Sequence, residues 1–149
     1  FYYNPNIHPE EEYKIRKTEN KRYCEKLSVP FVDADYDVKN WYEAVRGLED
    51  EPERGKRCSV CFLMRMEKTA LYASTHDFSV FATSLGISRH KNQAKVYAAG
   101  HEAASHYEDL TFWDHNWRAG AGIERGNKIA REEEFYRQNY CGCVYSGSR

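Results

Sequence analysis

Two pairs of closely spaced cysteines are the residues of this 149-residue chain that most clearly predict chemistry. Cys58 and Cys61 form a Cys-X-X-Cys motif, and two thiolates three residues apart can converge on one metal centre. The spacing suits tetrahedral zinc, an iron-sulfur cluster or a redox dithiol. The motif opens a predicted helix, where free N–H groups and the helix dipole favour thiolate. The alternative is that the two cysteines only pack on a buried helix face.

Cys141 and Cys143 form a second pair, a Cys-X-Cys motif near the end of the sequence. Gly142 between them lets the backbone fold the two sulfurs toward each other. Such closeness favours a strained disulfide, which is typically labile and catalytic rather than structural. The alternative is that both are ligands, joining Cys58 and Cys61 in a zinc or cluster site.

The remaining cysteine, Cys24, has no cysteine neighbour in sequence, and we expect it to pack as a small hydrophobic residue. Five cysteines are too few for a disulfide scaffold, and the odd number favours a reducing cytosol. No stretch approaches the roughly 18 to 20 apolar residues that a transmembrane helix requires. We therefore expect no membrane association.

A group of polar residues follows a run of strand-forming residues in the middle of the chain. Hydroxyls, a glycine turn and cations at the start of a helix are typical of a phosphate or nucleoside cradle. The alternative is simple helix capping by Ser88. The candidate substrate- or RNA-binding residues are Thr83, Ser84, Ser88, Arg89, Lys91 and Asn92.

The charge of the chain is unevenly distributed. The formal net charge is −1, but residues 54–95 carry eight basic and two acidic residues, a net charge of +6. If these cations share a face, they would follow an RNA backbone around the cysteines. The alternative is a solvated surface without a partner. The eight are Arg54, Lys56, Arg57, Arg65, Lys68, Arg89, Lys91 and Lys95.

Hydrophobic periodicity, caps and turn residues predict alternating strands and helices, and therefore an α/β fold with a parallel sheet flanked by helices. We expect one domain over residues 1–149. The predicted strands are residues 1–3, 31–35, 78–84 and 110–113, and the third should be buried. The predicted helices are residues 10–28, 38–47, 58–77, 92–106 and 124–138.

Four segments, taken together, resemble a known family. They are YNPNIHP at residues 3–9, RCSVCF at 57–62, FATSL at 81–85 and YCGC at 140–143. In this order they closely resemble the iron-sulfur epoxyqueuosine reductases of the QueH type, and the resemblance extends from Tyr3 to Ser146. It implies a nucleotide-hydrolase-like fold of the HUP or Rossmann-like kind.

The resemblance also implies a function. Members of this family are cytoplasmic enzymes that reduce epoxyqueuosine to queuosine at the wobble position of tRNA, the last step of queuosine biosynthesis, with electrons from a donor that the sequence does not identify. Cys58 and Cys61 would be ligands of a 4Fe-4S cluster, and Cys141 and Cys143 would form a redox-active disulfide. Two rival hypotheses remain, namely a zinc-binding RNA module that uses all four cysteines and a simple thiol-disulfide oxidoreductase.

The same resemblance implies that the sequence is shortened at its N-terminus. The chain begins at Phe1 without an initiator methionine. In the family, an adjacent cysteine pair that precedes the segment at residues 3–9 supplies two further cluster ligands. We therefore expect those ligands, and the first strand of the sheet, upstream of residue 1.

Overall fold

Helices dominate residues 1–146, the part of the chain that the computed structural model describes. The five α-helices of this part are α1 (Glu10–Lys26), α2 (Val38–Ala44), α3 (Lys56–Thr75), α4 (Gln93–Ala104) and α5 (Gly122–Glu132). Two short strands, β1 (Val80–Phe81) and β2 (Thr111–Phe112), and two 3-10 helices, Ser84–Ile87 and Val144–Ser146, complete the order.

The sheet is small and parallel. Val80 pairs with Thr111 and Phe81 with Phe112, while an isolated parallel bridge joins Tyr2 to Asp33. All four predicted strand positions therefore form parallel pairings. The predicted α/β class, with helices flanking a parallel sheet, is confirmed.

The prediction of a buried strand over residues 78–84 is wrong in two respects. Only Val80 and Phe81 form the strand, and the side chains of Phe78 and Val80 are more than half exposed. Successive strand residues point to opposite faces, so Phe81 contacts the core whereas Val80 faces an open cleft. A mostly apolar run of strand-forming residues is therefore not evidence of burial on both faces here.

The main hydrophobic core lies where α3 and α4 cover one face of the strands. Phe62, Met66 and Ala70 recur at four-residue spacing on α3. They pack against Phe81 of β1 and against apolar residues of β2 and α4. A Cβ atom at Gly100 would lie 2.4 Å from the Phe112 ring. Glycine at this position allows α4 to approach the sheet closely.

The last helix ends earlier than its sequence predicts. The prediction extended it to residue 138, but α5 ends at Glu132 and the backbone of Glu134 has a φ of 52°. Contacts with α1 explain the turn, since Lys26 pairs with Glu133 at 2.6 Å and the N–H of Tyr136 donates to Glu19. Tertiary contacts thus override helix propensity and return the chain to α1.

No α-helix within residues 1–146 is long and apolar enough to span a bilayer.

Candidate functional site

The first two turns of α3 place Cys58 and Cys61 three residues apart on one side of the helix. The backbone N–H of Arg54 donates to Cys58 Sγ at 3.2 Å. Cys61 is half-buried against Trp41. Burial raises the pKa of the Cys61 thiol, while Arg65 and the indole N–H of Trp41 counteract this rise.

The turn that carries Cys141 and Cys143 packs against the N-terminal segment. Gly142 has a φ of +99°, which favours glycine, and a Cβ atom there would lie 2.8 Å from Ile7. The N–H of His8 donates to the Gly142 carbonyl at 2.8 Å. Only glycine therefore fits between the two cysteines without moving Ile7.

The two thiols of this turn have opposite electrostatic environments. The N–H of Cys143 donates to Cys141 Sγ at 3.4 Å, and Ser146 Oγ lies 3.1 Å from the same sulfur. Donation by the Cys143 thiol is the main cause that lowers the pKa of Cys141 to about 5, and the shared proton raises the pKa of Cys143. This environment therefore favours the thiolate form of Cys141.

All the cysteines of the chain lie within the described residues and are free thiols there. Cys24 is half-buried on α1 rather than in a hydrophobic core, with its sulfur 3.8 Å from Asn20 Oδ1. Cys24 thus packs only in part, and it lies outside the cluster around Trp41.

The fold brings the two cysteine pairs together, although they are far apart in sequence. Cys61, Cys141 and Cys143 belong to one cluster around Trp41. The amine of Lys91 lies among them, and burial followed by repulsion from Arg65 lowers its pKa. The sulfurs of Cys141, Cys61 and Cys58 counteract this shift because thiolates favour the charged amine. The Lys91 amine is thus placed to interact with the sulfurs of both cysteine pairs.

Metal-binding capacity differs between the candidate ligand sets. Among residues 1–146, no three His, Cys, Asp or Glu side chains are arranged to hold a metal ion. The closed four-cysteine zinc site considered from the sequence is therefore not formed in this structure. Cys58 and Cys61 supply at most two of the four thiolates that a 4Fe-4S cluster usually has.

Three buried nitrogen atoms beside the cysteines fit a sulfur-rich group. His8 Nε2 and Arg57 Nε are buried without a hydrogen-bond partner among the described residues, and the buried Trp41 Nε1 is directed toward the Cys61 sulfur. The His8 and Trp41 rings lie 5.5 Å apart, and Arg57 is close enough to lower the pKa of Cys143. Hydrogen bonds to sulfur tune iron-sulfur clusters, so these donors are compatible with one.

A buried ion pair that the sequence interpretation missed holds the Cys141 turn in place. Arg16 pairs with Glu12 at 2.7 Å, and it donates to the carbonyls of Tyr140 and Cys141 at 3.1 and 3.2 Å. The hydroxyl of Tyr136 donates to the other Glu12 oxygen at 2.7 Å. The i, i+4 spacing of Glu12 and Arg16 was the available signal, but it gave no indication of the distant contact.

A cleft of about 910 Å³ opens beside these residues, between the N-terminal segment, α1, α3 and the end of β1. Of the predicted substrate-binding residues, it is lined by Thr83, Ser84, Ser88 and Lys91, and Cys141 reaches it as well. Arg89 and Asn92 are not among its lining residues. The cleft therefore brings a hydroxyl-rich loop to within reach of a thiolate.

Two of the polar residues also have structural roles. Thr83 Oγ1 accepts from the N–H of Leu85 at 3.2 Å, and Asn92 Oδ1 accepts from the N–H of Lys95 at 3.2 Å, so both are helix caps. The interpretation of Ser88 as the cap of α4 is wrong, because Asn92 occupies that position.

The eight cations of residues 54–95 do not share one surface. Arg57 is buried and its Nη1 donates to the carbonyls of Leu48, Glu49 and Glu51. This guanidinium organises the preceding loop and cannot meet RNA. Arg54 and Arg89, by contrast, are exposed.

Comparison with known proteins identifies close relatives. The sequence model of the family described as epoxyqueuosine reductase QueH matches residues 1–149. The chain is 56% identical to the epoxyqueuosine reductase QueH of Acinetobacter baylyi, over 98% of this chain and 67% of that protein. The protein of the same name from Haemophilus influenzae is 53% identical, over 98% of this chain and 60% of that protein. The one from Thermotoga maritima is 34% identical, over 98% of this chain and 77% of that protein.

The relatives are longer than this chain. It spans 60% to 67% of the length of the first three curated relatives that it matches.

Proposed function

The chain belongs to the epoxyqueuosine reductase QueH family, and from this premise we propose that it reduces epoxyqueuosine to queuosine at the wobble position of tRNA. The observation that carries the proposal is the Cys141 thiolate, which reaches the cleft with Cys143 as its hydrogen-bond partner. Its substrate is a tRNA, its setting is the cytoplasm, and an electron donor restores the enzyme after each turnover.

The dithiol has the stoichiometry that the reaction needs. Removal of an epoxide oxygen as water consumes two electrons and two protons, and oxidation of two thiols to a disulfide releases two of each. Cys141 and Cys143 are adjacent in space, and the lowered pKa of Cys141 favours a form with one thiolate and one protonated thiol. Oxidation of that form to the disulfide releases two electrons and one proton, so the second proton that the reaction needs comes from the solvent. The pair is therefore suited to deliver reducing equivalents at the end of the cleft.

We assign Cys58 and Cys61 as two thiolate ligands of a 4Fe-4S cluster. Such a cluster, when bound, would transfer single electrons from the donor to the disulfide. Lys91 would neutralise part of the thiolate charge, and Trp41 and Arg57 offer N–H donors on the buried side.

The cleft would hold the modified nucleotide. The hydroxyl of Ser84 lines it, and Lys91 provides a cation at its inner end. A cleft of about 910 Å³ is at the upper end of the range for small-molecule sites and large enough for one nucleoside with its side chain.

The test measures iron per chain and conversion of epoxyqueuosine in modified tRNA. It uses the longer protein that includes the expected upstream cysteine ligands, as wild type and as Cys141→Ser and Cys143→Ser variants, all purified without oxygen. Full iron with no product in both variants supports the proposed division between electron delivery and cluster binding. Cys24→Ser is the matched control, because Cys24 lies away from the cluster around Trp41. Loss of iron in proportion to activity would make Cys141 and Cys143 ligands instead.

A further inference from the structure

Three aromatic side chains form a contiguous group immediately after β2. The ring centroids of Trp113 and Trp117 are 5.2 Å apart, and His115 lies 5.3 Å from Trp113 and 4.7 Å from Trp117. Trp113 is half exposed and His115 is exposed. We call these three residues the aromatic group. None of them lines the cleft, so the proposed reaction does not account for them.

Hydrogen bonds hold the loop that carries the aromatic group. Tyr97 Oη donates to the carbonyl of His115 at 2.6 Å, and Gln93 Nε2 donates to Asn116 Oδ1 at 2.9 Å. The N–H of Arg118 reaches the same Asn116 oxygen at 3.1 Å. These bonds tie the loop to the first turns of α4. The rings are therefore positioned before any ligand arrives, which reduces the entropy cost of binding.

The aromatic group lies at the same edge of the sheet as the entrance to the cleft. In a parallel sheet the carboxyl ends of the strands share one edge, which is the usual ligand-binding edge. Trp113 directly follows β2 and its N–H donates to the Phe81 carbonyl at 2.8 Å. Thr83 and Ser84, which line the cleft, follow β1. A polymer that places one unit in the cleft can therefore pass over the aromatic group.

Arg118 joins the aromatic group to the basic loop. Its guanidinium donates to the carbonyls of Gly86 and Lys91 at 2.7 and 2.9 Å, and also to that of Ser88. The loop from Gly86 to Lys91 that it holds carries Arg89.

The basic side of this surface extends further through backbone contacts. Arg54 Nε donates to the His90 carbonyl at 2.9 Å, and Lys95 Nζ donates to the Arg54 carbonyl at 2.7 Å. Neither Arg89 nor Arg118 forms an ion pair within residues 1–146. The acidic residue within the aromatic loop, Asp114, contacts His101 at 3.0 Å. The surface thus combines aromatic faces with cations that lack a protein counter-charge.

We propose that the aromatic group binds unpaired nucleotides that flank the modified base of the tRNA, by stacking their bases on Trp113 and Trp117. This proposal rests on the proposed function, because it assumes that the cleft takes a base from a single-stranded loop. Unpaired bases stack on aromatic side chains, while adjacent cations contact phosphates. A purely apolar protein partner would not require adjacent arginines that lack a protein counter-charge.

The test compares binding of two fluorescently labelled RNAs without modified bases, a hairpin with an unpaired loop and a fully paired duplex of equal length. Trp113→Leu should weaken hairpin binding about 5- to 100-fold, and Trp113→Phe should retain most of it. Leucine keeps the apolar contact but lacks the π-face. Duplex binding should change little in either variant, because its bases are already stacked on one another.

Two outcomes would overturn the proposal. The first is hairpin binding by Trp113→Leu and Trp117→Leu variants that matches wild type, and the second is an equal loss for hairpin and duplex. The thermal transition of each variant is measured alongside, and Trp113→Phe shows whether the site tolerates substitution. Conversion of epoxyqueuosine is assayed separately: a wild-type protein that binds hairpins through Trp113 but forms no queuosine would refute the proposed function and leave this surface intact.

Discussion

Nη1 of Arg16 donates a hydrogen bond of 3.2 Å to the carbonyl oxygen of Cys141, so a helix near the start of the chain holds a reactive cysteine near its end. The bond depends on the Glu12 carboxylate, which orients the guanidinium from one turn earlier on α1. Both side chains of the ion pair are about nine-tenths buried. The position of the thiolate is therefore coupled to a buried ion pair.

Replacing Arg16 by alanine should lower the free energy of unfolding by about 3 kcal/mol, because Glu12 would be left as an unpaired buried carboxylate. The same change releases the carbonyls of Tyr140 and Cys141. The alkylation rate of Cys141 should therefore move toward that of a thiol in the denatured chain. Urea denaturation and thiol alkylation at neutral pH measure the two effects.

The matched control for Arg16 is Lys21→Ala on the same helix, whose partner Glu25 lies 3.9 Å away with both side chains largely exposed. Exposed pairs of this kind contribute little to stability, so we expect no measurable change. Equal stabilities of wild type and Arg16→Ala would contradict the role assigned to the ion pair.

The reactivity of Cys141 should depend on pH in a way that an ordinary thiol does not. Thiolate is the form that reacts, and the lowered pKa of Cys141 keeps it deprotonated well below pH 7, so the alkylation rate should stay constant from pH 8 to about 6 and fall as pH approaches about 5. A thiol in the denatured chain, with a pKa of about 8.5, should lose reactivity already between pH 9 and 7.

The Cys143→Ala variant tests the cause of this shift. The Cys143 side chain is the largest contribution that lowers the pKa of Cys141, so its removal should move the reactivity profile of Cys141 toward higher pH. Lys91→Met should move it in the same direction by less, since Lys91 is a smaller cause. A profile that is the same in wild type and Cys143→Ala would show that the two thiols do not share a proton.

Iron content should depend on the cysteines of α3. The Cys58→Ala and Cys61→Ala variants are made in a protein as long as the curated relatives and are purified without oxygen. Each variant should lose most of the bound iron, because each removes a thiolate ligand. Cys24→Ala should retain it. Iron and visible absorption at wild-type levels in both α3 variants would place the cluster on other residues.

Much of the fold was predictable because local signals and tertiary contacts agree. The helices predicted from the acidic residues at the start of α1 and from the Ala-rich run of α4 agree with the observed helices to within a few residues. The end of α5 was not predictable, because contacts of Arg22, Lys26 and Glu19 with the chain after Glu132 replaced the last predicted turn. Such contacts join residues more than a hundred positions apart and leave no local pattern.

The candidate site was predictable in its residue types but not in its arrangement. The cysteine motifs predicted thiol chemistry, and the structure brings Cys61, Cys141 and Cys143 together around Trp41. The buried state of Arg57 was not apparent, since a cation in a basic run is usually exposed. Its three carbonyl acceptors come from a loop whose shape the sequence does not specify.

The cations beside the aromatic group should control the salt dependence of RNA binding. Each phosphate contact that is lost lowers the slope of log K against log salt by about 0.7 for single-stranded and about 0.9 for duplex nucleic acid. Arg89→Gln combined with Lys95→Gln should therefore lower the slope by up to about 1.4 where the contacts are to the unpaired loop of the hairpin and by up to about 1.8 for the duplex. Lys21→Gln on α1 is the control and should leave the slope unchanged. Trp113→Leu should weaken hairpin binding without changing the slope, because stacking releases no counterions. A double variant with the wild-type slope would show that this loop does not face the RNA backbone.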